Sequence, residues 1–173
     1  SGRMEGLQLW VNLPARDKWI APRYQEIPSA SLPEARSADG LVHVKVLAGE
    51  ALGVRAAIET RTPILYLHYT VAPGGRVEQP IPAGFGVFAY PIRGEGTFGP
   101  DERRAGADDL VQFADDGETV VFGSSEPLQV LLVGGTPLRE PIARHGQFVM
   151  NTREEIVQAM DDYRHGRMGQ IVG

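Results

Sequence analysis

The sequence between residues 41 and 71 reads LVHVKVLAGEALGVRAAIETRTPILYLHYTV, in which short apolar alternations are separated by glycine, proline and charged residues. Alternation with a period of two residues is typical of a strand that buries one face. Similar runs continue along the chain, and the predicted strands are residues 41–48, 52–59, 64–71, 85–92, 107–113, 118–123 and 127–133. Many short strands at close intervals predict an all-β sandwich or barrel.

The two ends of the chain carry different patterns. Residues 7–13 alternate up to Pro14, which predicts a half-buried strand, and the proline-containing residues 15–38 predict a connector. Near the other end, Thr152 and Glu155 match a capping box, which predicts a helix. The apolar residues that follow on one face of this helix are Ile156, Ala159, Met160 and Tyr163.

The composition excludes several classes of protein. The chain has 173 residues, 42% of them hydrophobic and 23% charged, which is ordinary for one folded domain. It has no cysteine, which excludes disulfides, thiolate nucleophiles and zinc–thiolate sites. Its apolar runs fall short of the ~18 residues of a membrane span. Residues 1–6 lack the apolar core of a signal peptide, so we expect a cytoplasmic protein.

The charge pattern argues against nucleic-acid binding. The net charge is −5, and the basic residues are scattered along the chain, where Lys18 and Lys45 are the lysines and the others are arginines. A surface that grips a phosphate backbone needs clustered positive charge, so direct DNA or RNA binding is disfavoured. The excess of arginine over lysine indicates a bacterial source of high GC content.

Residues 94–99 read GEGTFG, which matches the glycine pattern of dinucleotide-binding loops. That chemistry needs a helix to begin directly after the loop and present its backbone N–H groups to a pyrophosphate. Pro100 and Asp101 follow instead, between two predicted strands. The pattern therefore predicts a hairpin turn.

The histidines and paired acidic residues do not form a local metal-binding motif. His43, His68, His145 and His165 are far apart in sequence. Alternation predicts a solvated His43 and a half-buried His68, and His165 suits the negative end of the terminal helix. The acidic pairs, which are Asp108–Asp109, Asp115–Asp116 and Asp161–Asp162, lack the spacing of a calcium loop. We expect solvated turns and a helix surface there.

Longer stretches across nearly the whole chain resemble the C-terminal half of pirins. They are GLQLWVNL at residues 6–13, GEALG at 49–53, TRTPILYL at 60–67, QPIP at 79–82, PLREP at 137–141 and HGQFVMNTREEI at 145–156. Pirins are similar to bicupins, which join two double-stranded β-helix barrels and hold a single iron in the first barrel through histidines and a glutamate.

The resemblance implies a specific division of the chain. Residues 39–173 would form the pirin C-terminal cupin domain, a jelly-roll barrel followed by the C-terminal helix. Residues 1–38 would be an orphan strand, which closes the first barrel in pirins, and the connector after it. Iron is then expected only in the first barrel, which is almost wholly absent from this sequence.

The cupin metal motif supports a metal-free interior. A metal-binding cupin carries Gly-x5-His-x-His-x3,4-Glu-x6-Gly, because these side chains converge on one cation. Residues 74–94 keep the spacing but place Pro80, Pro82 and Val87 at the ligand positions, and the fourth ligand of the second motif would fall near Thr119. Proline and valine have no side-chain donor atom. We therefore expect an apolar plug, with no catalytic, cofactor-binding or metal-ligating residue in this chain.

These observations leave two classes of function open. One is a non-catalytic structural or interaction module, which we favour; the other is half of an iron-dependent quercetin 2,3-dioxygenase-like enzyme whose metal-binding barrel is absent. A third possibility is that the interior holds a small apolar ligand. The unpaired strand at residues 7–13 and the apolar helix face at residues 152–165 predict a protein partner, with homo-oligomerisation favoured.

Overall fold

The computed structural model describes residues 6–171. Contacts divide the chain into two units. The β-unit is Gln25–Pro137, and the terminal unit combines Ser1–Tyr24 with Leu138–Gly173. Among the described residues, none of the helices is long and apolar enough to cross a membrane.

The β-unit consists of short antiparallel strands. They are β1 (Glu34–Arg36), β2 (Val42–Ala48), β3 (Glu50–Ala51), β4 (Val54–Arg55), β5 (Ile64–Val71), β6 (Arg76–Pro80), β7 (Gly86–Arg93), β8 (Glu95–Phe98), β9 (Arg103–Gly106), β10 (Val111–Gln112), β11 (Thr119–Gly123) and β12 (Leu128–Gly135). One sheet has the order β1-β2-β5-β12-β7-β10 and the other the order β6-β11-β8-β9, while β3 and β4 form a separate hairpin. This architecture confirms the predicted all-β fold.

The core of the β-unit lies between the two sheets. Along β2 every second residue is buried, from Val42 to Ala48, so one face of the sheet points inward. Tyr69 of the six-stranded sheet meets Phe122 of the four-stranded sheet edge to face, with ring centroids 5.4 Å apart. Phe98 stacks on Phe122 at 5.6 Å. The Tyr69–Phe122 contact therefore joins the two sheets, and Phe98 extends the aromatic cluster within the four-stranded sheet.

Several predicted strands differ from the observed ones. The pattern at residues 52–59 reduces to β4, and that at 107–113 reduces to β10. Residues 94–99 do not form only a turn: Glu95–Phe98 is the strand β8. Gly94 precedes it with φ +79°, and a side chain there would collide with the Pro127 carbonyl. The glycine is thus needed for close backbone packing, and a strand, not a helix, follows it.

The terminal unit contains the hairpin of β13 (Ala143–His145) and β14 (Phe148–Met150), followed by the helix α1 (Arg153–Arg164). The predicted capping box is confirmed, because Thr152 Oγ1 accepts a hydrogen bond from the Glu155 N–H while the Glu155 carboxylate accepts one from Thr152 N–H. Ile156 and Ala159 are buried, whereas Tyr163 is 62% exposed. The predicted apolar face of α1 is therefore covered only in part.

The prediction of a strand at residues 7–13 is wrong for the structure. The segment forms no regular strand, and a short 3-10 helix at Ala15–Asp17 follows it. A strand requires a hydrogen-bonded neighbour, and the described residues provide none for this segment. Within the segment, Asn12 Oδ1 accepts a hydrogen bond from Lys18 Nζ at 2.7 Å. The residues just after it bond to the other end of the chain, since Ala15 N–H donates to Glu140 Oε2 at 2.7 Å and Lys18 Nζ donates to the Val149 carbonyl at 3.2 Å.

The boundary between the units also differs from the division at residue 38. Glu34–Arg36 forms β1 and pairs with β2, with Ala35 opposite Val44, so the end of the predicted connector belongs to the β-unit. Residues 138–171, which include β13, β14 and α1, group with residues 6–24 and not with the strands of the β-unit. The contacts of the two ends could not be read from local patterns, because they join segments more than 100 residues apart.

Candidate functional site

The register of β6 and β11 decides which residues at the counted positions of the cupin motif face the interior of the β-unit. In β6, Val77 and Gln79 are buried while the residues on either side are exposed. Ile81 is also buried, and its N–H donates to the Glu118 carbonyl at 2.8 Å, which continues the pairing with β11. Gln79 lies directly opposite Val120, which is buried as well.

This register corrects the ligand positions predicted by counting residues. Pro80, Pro82 and Thr119 are exposed, and among the counted positions Val87 alone is buried. Neighbouring residues of a strand point to opposite faces, so an offset of one residue moves every side chain to the other side of the sheet. The buried residues at or next to the counted positions, which we call the inward positions, are Gln79, Ile81, Val87 and Val120.

The inward positions do not fit an iron site. Ile81, Val87 and Val120 are hydrocarbon, so they offer no lone pair to a metal. Gln79 has an amide oxygen, but the Tyr69 hydroxyl already donates to it at 2.6 Å. Within residues 6–171, no group of three or more histidine or acidic side chains is arranged to hold a metal ion.

Gln79 and Tyr69 form a buried polar link between the sheets. Besides accepting from Tyr69, Gln79 donates through Nε2 to the Pro80 carbonyl at 2.8 Å and to the Glu50 carbonyl at 3.2 Å. Burial raises the pKa of Tyr69 far above the neutral range, so the phenol stays protonated and acts as a donor. The link gives both buried side chains hydrogen-bond partners within the protein.

An open cavity of about 960 Å³ lies beside this link. Its walls come from the β3–β4 hairpin and from residues 58–65 and 78–85. Gly49, with φ +84°, leads from β2 into the hairpin, and a Cβ atom there would lie 2.9 Å from the Ile64 carbonyl oxygen. Glycine thus lets the hairpin approach β5 closely and form one wall of the cavity.

The histidines do not form one cluster in the described part of the chain. His43 and His68 lie on the outward face of the six-stranded sheet, whereas His145 and His165 belong to the terminal unit. His43 is not freely solvated as predicted, because its Nε2 lies 2.8 Å from Glu34 Oε2.

His68 is the histidine with an unusual environment. It is half-buried as predicted, and its Nε2 is buried without a hydrogen-bond partner. Burial lowers the pKa of His68, and electrostatic interaction with the nearby Lys45 and His43 lowers it further. The imidazole is therefore neutral at neutral pH, and no nucleophile or carboxylate contacts it among the described residues.

The acidic pairs serve local structure. Asp161 and Asp162 both pair with Arg167 after the end of α1. Asp109 accepts a hydrogen bond from Gly106 N–H at 2.9 Å, which stabilises the turn after β9. Asp115 and Asp116 lie in an exposed turn between β10 and β11, as predicted. Each pair is thus explained without a cation.

Gln79 and Tyr69 are the site residues that sequence reasoning missed. The signal for Gln79 was present, because it lies midway between the apolar residues Val77 and Ile81 in an alternating segment. Tyr69 alternates in the same way with Leu67 and Val71. Their hydrogen bond could not be predicted, since it joins strands of different sheets.

Comparison with known proteins gives a consistent result. The family model described as pirin C-terminal cupin domain matches residues 66–169. A pirin-like protein of Solanum lycopersicum is 44% identical over 170 residues, which cover 97% of this chain and 58% of that protein. Pirin of Homo sapiens is 44% identical over 174 residues, which cover 95% of this chain and 57% of that protein.

A solved structure has the same fold over most of the chain. The crystal structure described as quercetin 2,3-dioxygenase from Acinetobacter baumannii matches with a TM-score of 0.85 and 28% identity, and the match covers 94% of this chain and 56% of that one. The chain thus spans less than two thirds of the length of these relatives.

Proposed function

The chain belongs to the pirin family, and from this premise we propose that it serves as a metal-free structural and interaction module of a pirin-like protein. The observation that carries the proposal is the set of side chains at the inward positions, Gln79, Ile81, Val87 and Val120. A cupin oxygenase needs several nitrogen or oxygen ligands around one open metal position. Three of these four side chains cannot be ligands, and the fourth is held in a hydrogen-bonded link.

The interaction role rests on the surface of the terminal unit. Its large exposed apolar side chains include Leu7, Trp10, Val11, Trp19, Ile142 and Tyr163. The corresponding residues of the β-unit are Leu52 and Leu110. Exposed apolar residues concentrated in one unit are typical of a surface that another protein covers.

We propose that the partner is a second copy of the chain. Residues 7–13 lack strand partners among the described residues, so their backbone can add an edge to a neighbouring chain. An open cavity of about 510 Å³ lies between these residues and β14, lined by Trp10, Val11 and Phe148. A two-fold arrangement would bury this surface on both copies, and about 800 Å² per partner is sufficient for a stable interface.

An enzymatic parent protein is the second candidate. The likeness to the Acinetobacter protein described as quercetin 2,3-dioxygenase favours it. In this case the chain would contribute architecture to a longer or multi-chain enzyme, because its own inward residues do not fit iron. Under either candidate, the residues of this chain take part in no chemical step.

The metal-free role predicts that the chain retains far less than one equivalent of iron. The measurement is elemental analysis of the untagged protein after incubation with ferrous iron and desalting, with the same test for zinc, copper and manganese. The variant His145→Gln/His165→Gln is the control for adventitious binding at exposed histidines. Stoichiometric metal that survives in this variant would overturn the proposal, whereas metal lost with the two histidines would be surface binding and leave it intact.

A further inference from the structure

The cavity beside Gln79 has no part in the proposed interaction surface, which lies in the other unit. Its volume of about 960 Å³ is at the upper end of the range of roughly 300–1,000 Å³ that is usual for small-molecule sites. Apolar side chains make up most of the lining, among them Leu52, Ile58, Ile81 and Phe85. A cavity of this size and character suits an organic ligand.

Leu52 is the residue that indicates a function for the cavity. It forms the tip of the β3–β4 hairpin with Gly53, and the two residues have φ values of +48° and +76°. A two-residue turn with both residues in the left-handed region favours asparagine, aspartate or glycine at its first position, and leucine is disfavoured there by its side chain.

Burial in the core does not explain why a leucine occupies this disfavoured turn position. The residue is 49% exposed, and it is not part of the hydrophobic core of the β-unit. Its side chain lines the cavity instead. A disfavoured backbone conformation that presents an apolar side chain to an open cavity is an outlier of the kind found at ligand sites.

The charges around the cavity limit the ligand further. The lining contains two carboxylates, Glu50 and Glu78, and one guanidinium, Arg55. Arg55 Nε is 2.8 Å from Glu50 Oε2, so its positive charge is already paired. Gln79 uses both hydrogens of its amide nitrogen within the protein. Glu78 is paired as well, with Arg76 Nε 3.3 Å from Glu78 Oε1. The lining therefore offers an anionic ligand no unpaired cation.

We infer that the cavity of the β-unit binds a small, uncharged, largely apolar organic molecule, with Leu52 as part of its apolar wall. The site is independent of the proposed function, because it uses no residue of the terminal unit and no metal. Retention of iron in the metal analysis would overturn the proposed function and leave this inference standing. Failure of the binding test below would overturn only the inference.

The test uses two fluorescent probes that share one aromatic body. N-phenyl-1-naphthylamine is uncharged, and 1-anilinonaphthalene-8-sulfonate adds a sulfonate to it. We expect saturable binding of the uncharged probe, weaker binding of the sulfonate, and perturbation of the Leu52 and Gly53 amide signals in NMR spectra. Leu52→Asn should weaken binding of the uncharged probe by roughly tenfold, because it removes an apolar wall.

Leu52→Asn also separates a ligand role from a structural one. Asparagine suits the turn, so the melting temperature should stay the same or rise while binding falls. Leu110→Asn, at another exposed leucine of the β-unit, and Trp10→Ser, in the terminal unit, are controls that should leave binding unchanged. The inference is wrong if the uncharged probe does not bind saturably, if Leu52→Asn has no more effect than Leu110→Asn, or if Trp10→Ser abolishes binding.

Discussion

Replacing Gln79 with leucine is expected to lower the free energy of unfolding by about 2–4 kcal/mol. The side chain is 5% exposed and makes three hydrogen bonds, to the Tyr69 hydroxyl and to the carbonyls of Glu50 and Pro80. Leucine fills a similar volume but leaves the buried Tyr69 hydroxyl without its acceptor and removes the bonds to the two carbonyls. Because an unpaired buried polar group costs about 1–3 kcal/mol, the loss should exceed that of an ordinary core substitution of equal size.

A double-mutant cycle tests whether the Tyr69–Gln79 link is the cause. Tyr69→Phe should cost about 1–2 kcal/mol, and the double variant should be more stable than the sum of the single losses, since neither partner is then left unpaired. Glu78→Leu, at the exposed neighbour on the same strand, is the control and should change stability by less than about 1 kcal/mol. Chemical denaturation measures all four variants. Additive losses in the cycle would contradict the interpretation of the link.

The second large effect is expected for self-association. Val11→Asp places a charge in the middle of the exposed apolar segment of the terminal unit, where Val11 is 48% exposed. If two copies pair through this segment, the substitution buries an unpaired carboxylate in the interface. The dissociation constant should then rise by at least about tenfold, which corresponds to about 1.4 kcal/mol.

Sedimentation velocity at micromolar concentrations measures this effect. The unmodified chain should sediment as a dimer, and Val11→Asp should shift it toward the monomer of 18.8 kDa. Leu110→Asp, at an exposed leucine outside the terminal unit, is the control and should leave the dimer intact. A single 18.8 kDa species for the unmodified chain at every concentration would show that the proposed partner is wrong.

Local sequence patterns predicted the elements whose structure depends on neighbouring residues. Thr152 and Glu155 satisfy each other across one helical turn, so the capping box was visible in the sequence. The alternation of β2 reflects its single buried face. The family resemblance was likewise carried by contiguous stretches, and the family match supports it.

The interior positions show where sequence counting fails. The spacing of the cupin motif placed ligands at Pro80 and Pro82, but the pleat of β6 turns these residues outward and Gln79 and Ile81 inward. A count from a distant glycine does not show which face of the sheet a residue occupies. The alternation of Gln79 with apolar neighbours does show it. The residues that face the interior are also poor metal ligands, but most of them are not the residues that the count indicates.

Pairing between distant segments of the chain could not be predicted from the sequence either. The alternation at residues 7–13 is compatible with a strand, but a strand forms only where a partner edge is available. Among the described residues that edge is absent. Ala15 and Lys18, which follow the segment, bond instead to Glu140 and Val149 near the other end of the chain. Such contacts determine the terminal unit, and no periodicity reveals them.

Turnover of quercetin by the isolated chain tests the central claim most directly. The chain is incubated with quercetin, oxygen and added ferrous iron, with the Acinetobacter protein described as quercetin 2,3-dioxygenase as the positive control. A correction sample with ferrous iron and heat-denatured chain measures the autoxidation of quercetin. A metal-free module predicts that quercetin disappears no faster than in this correction sample, because oxygen activation requires a bound metal with an open position. Sustained turnover above that rate by the folded chain would contradict the account.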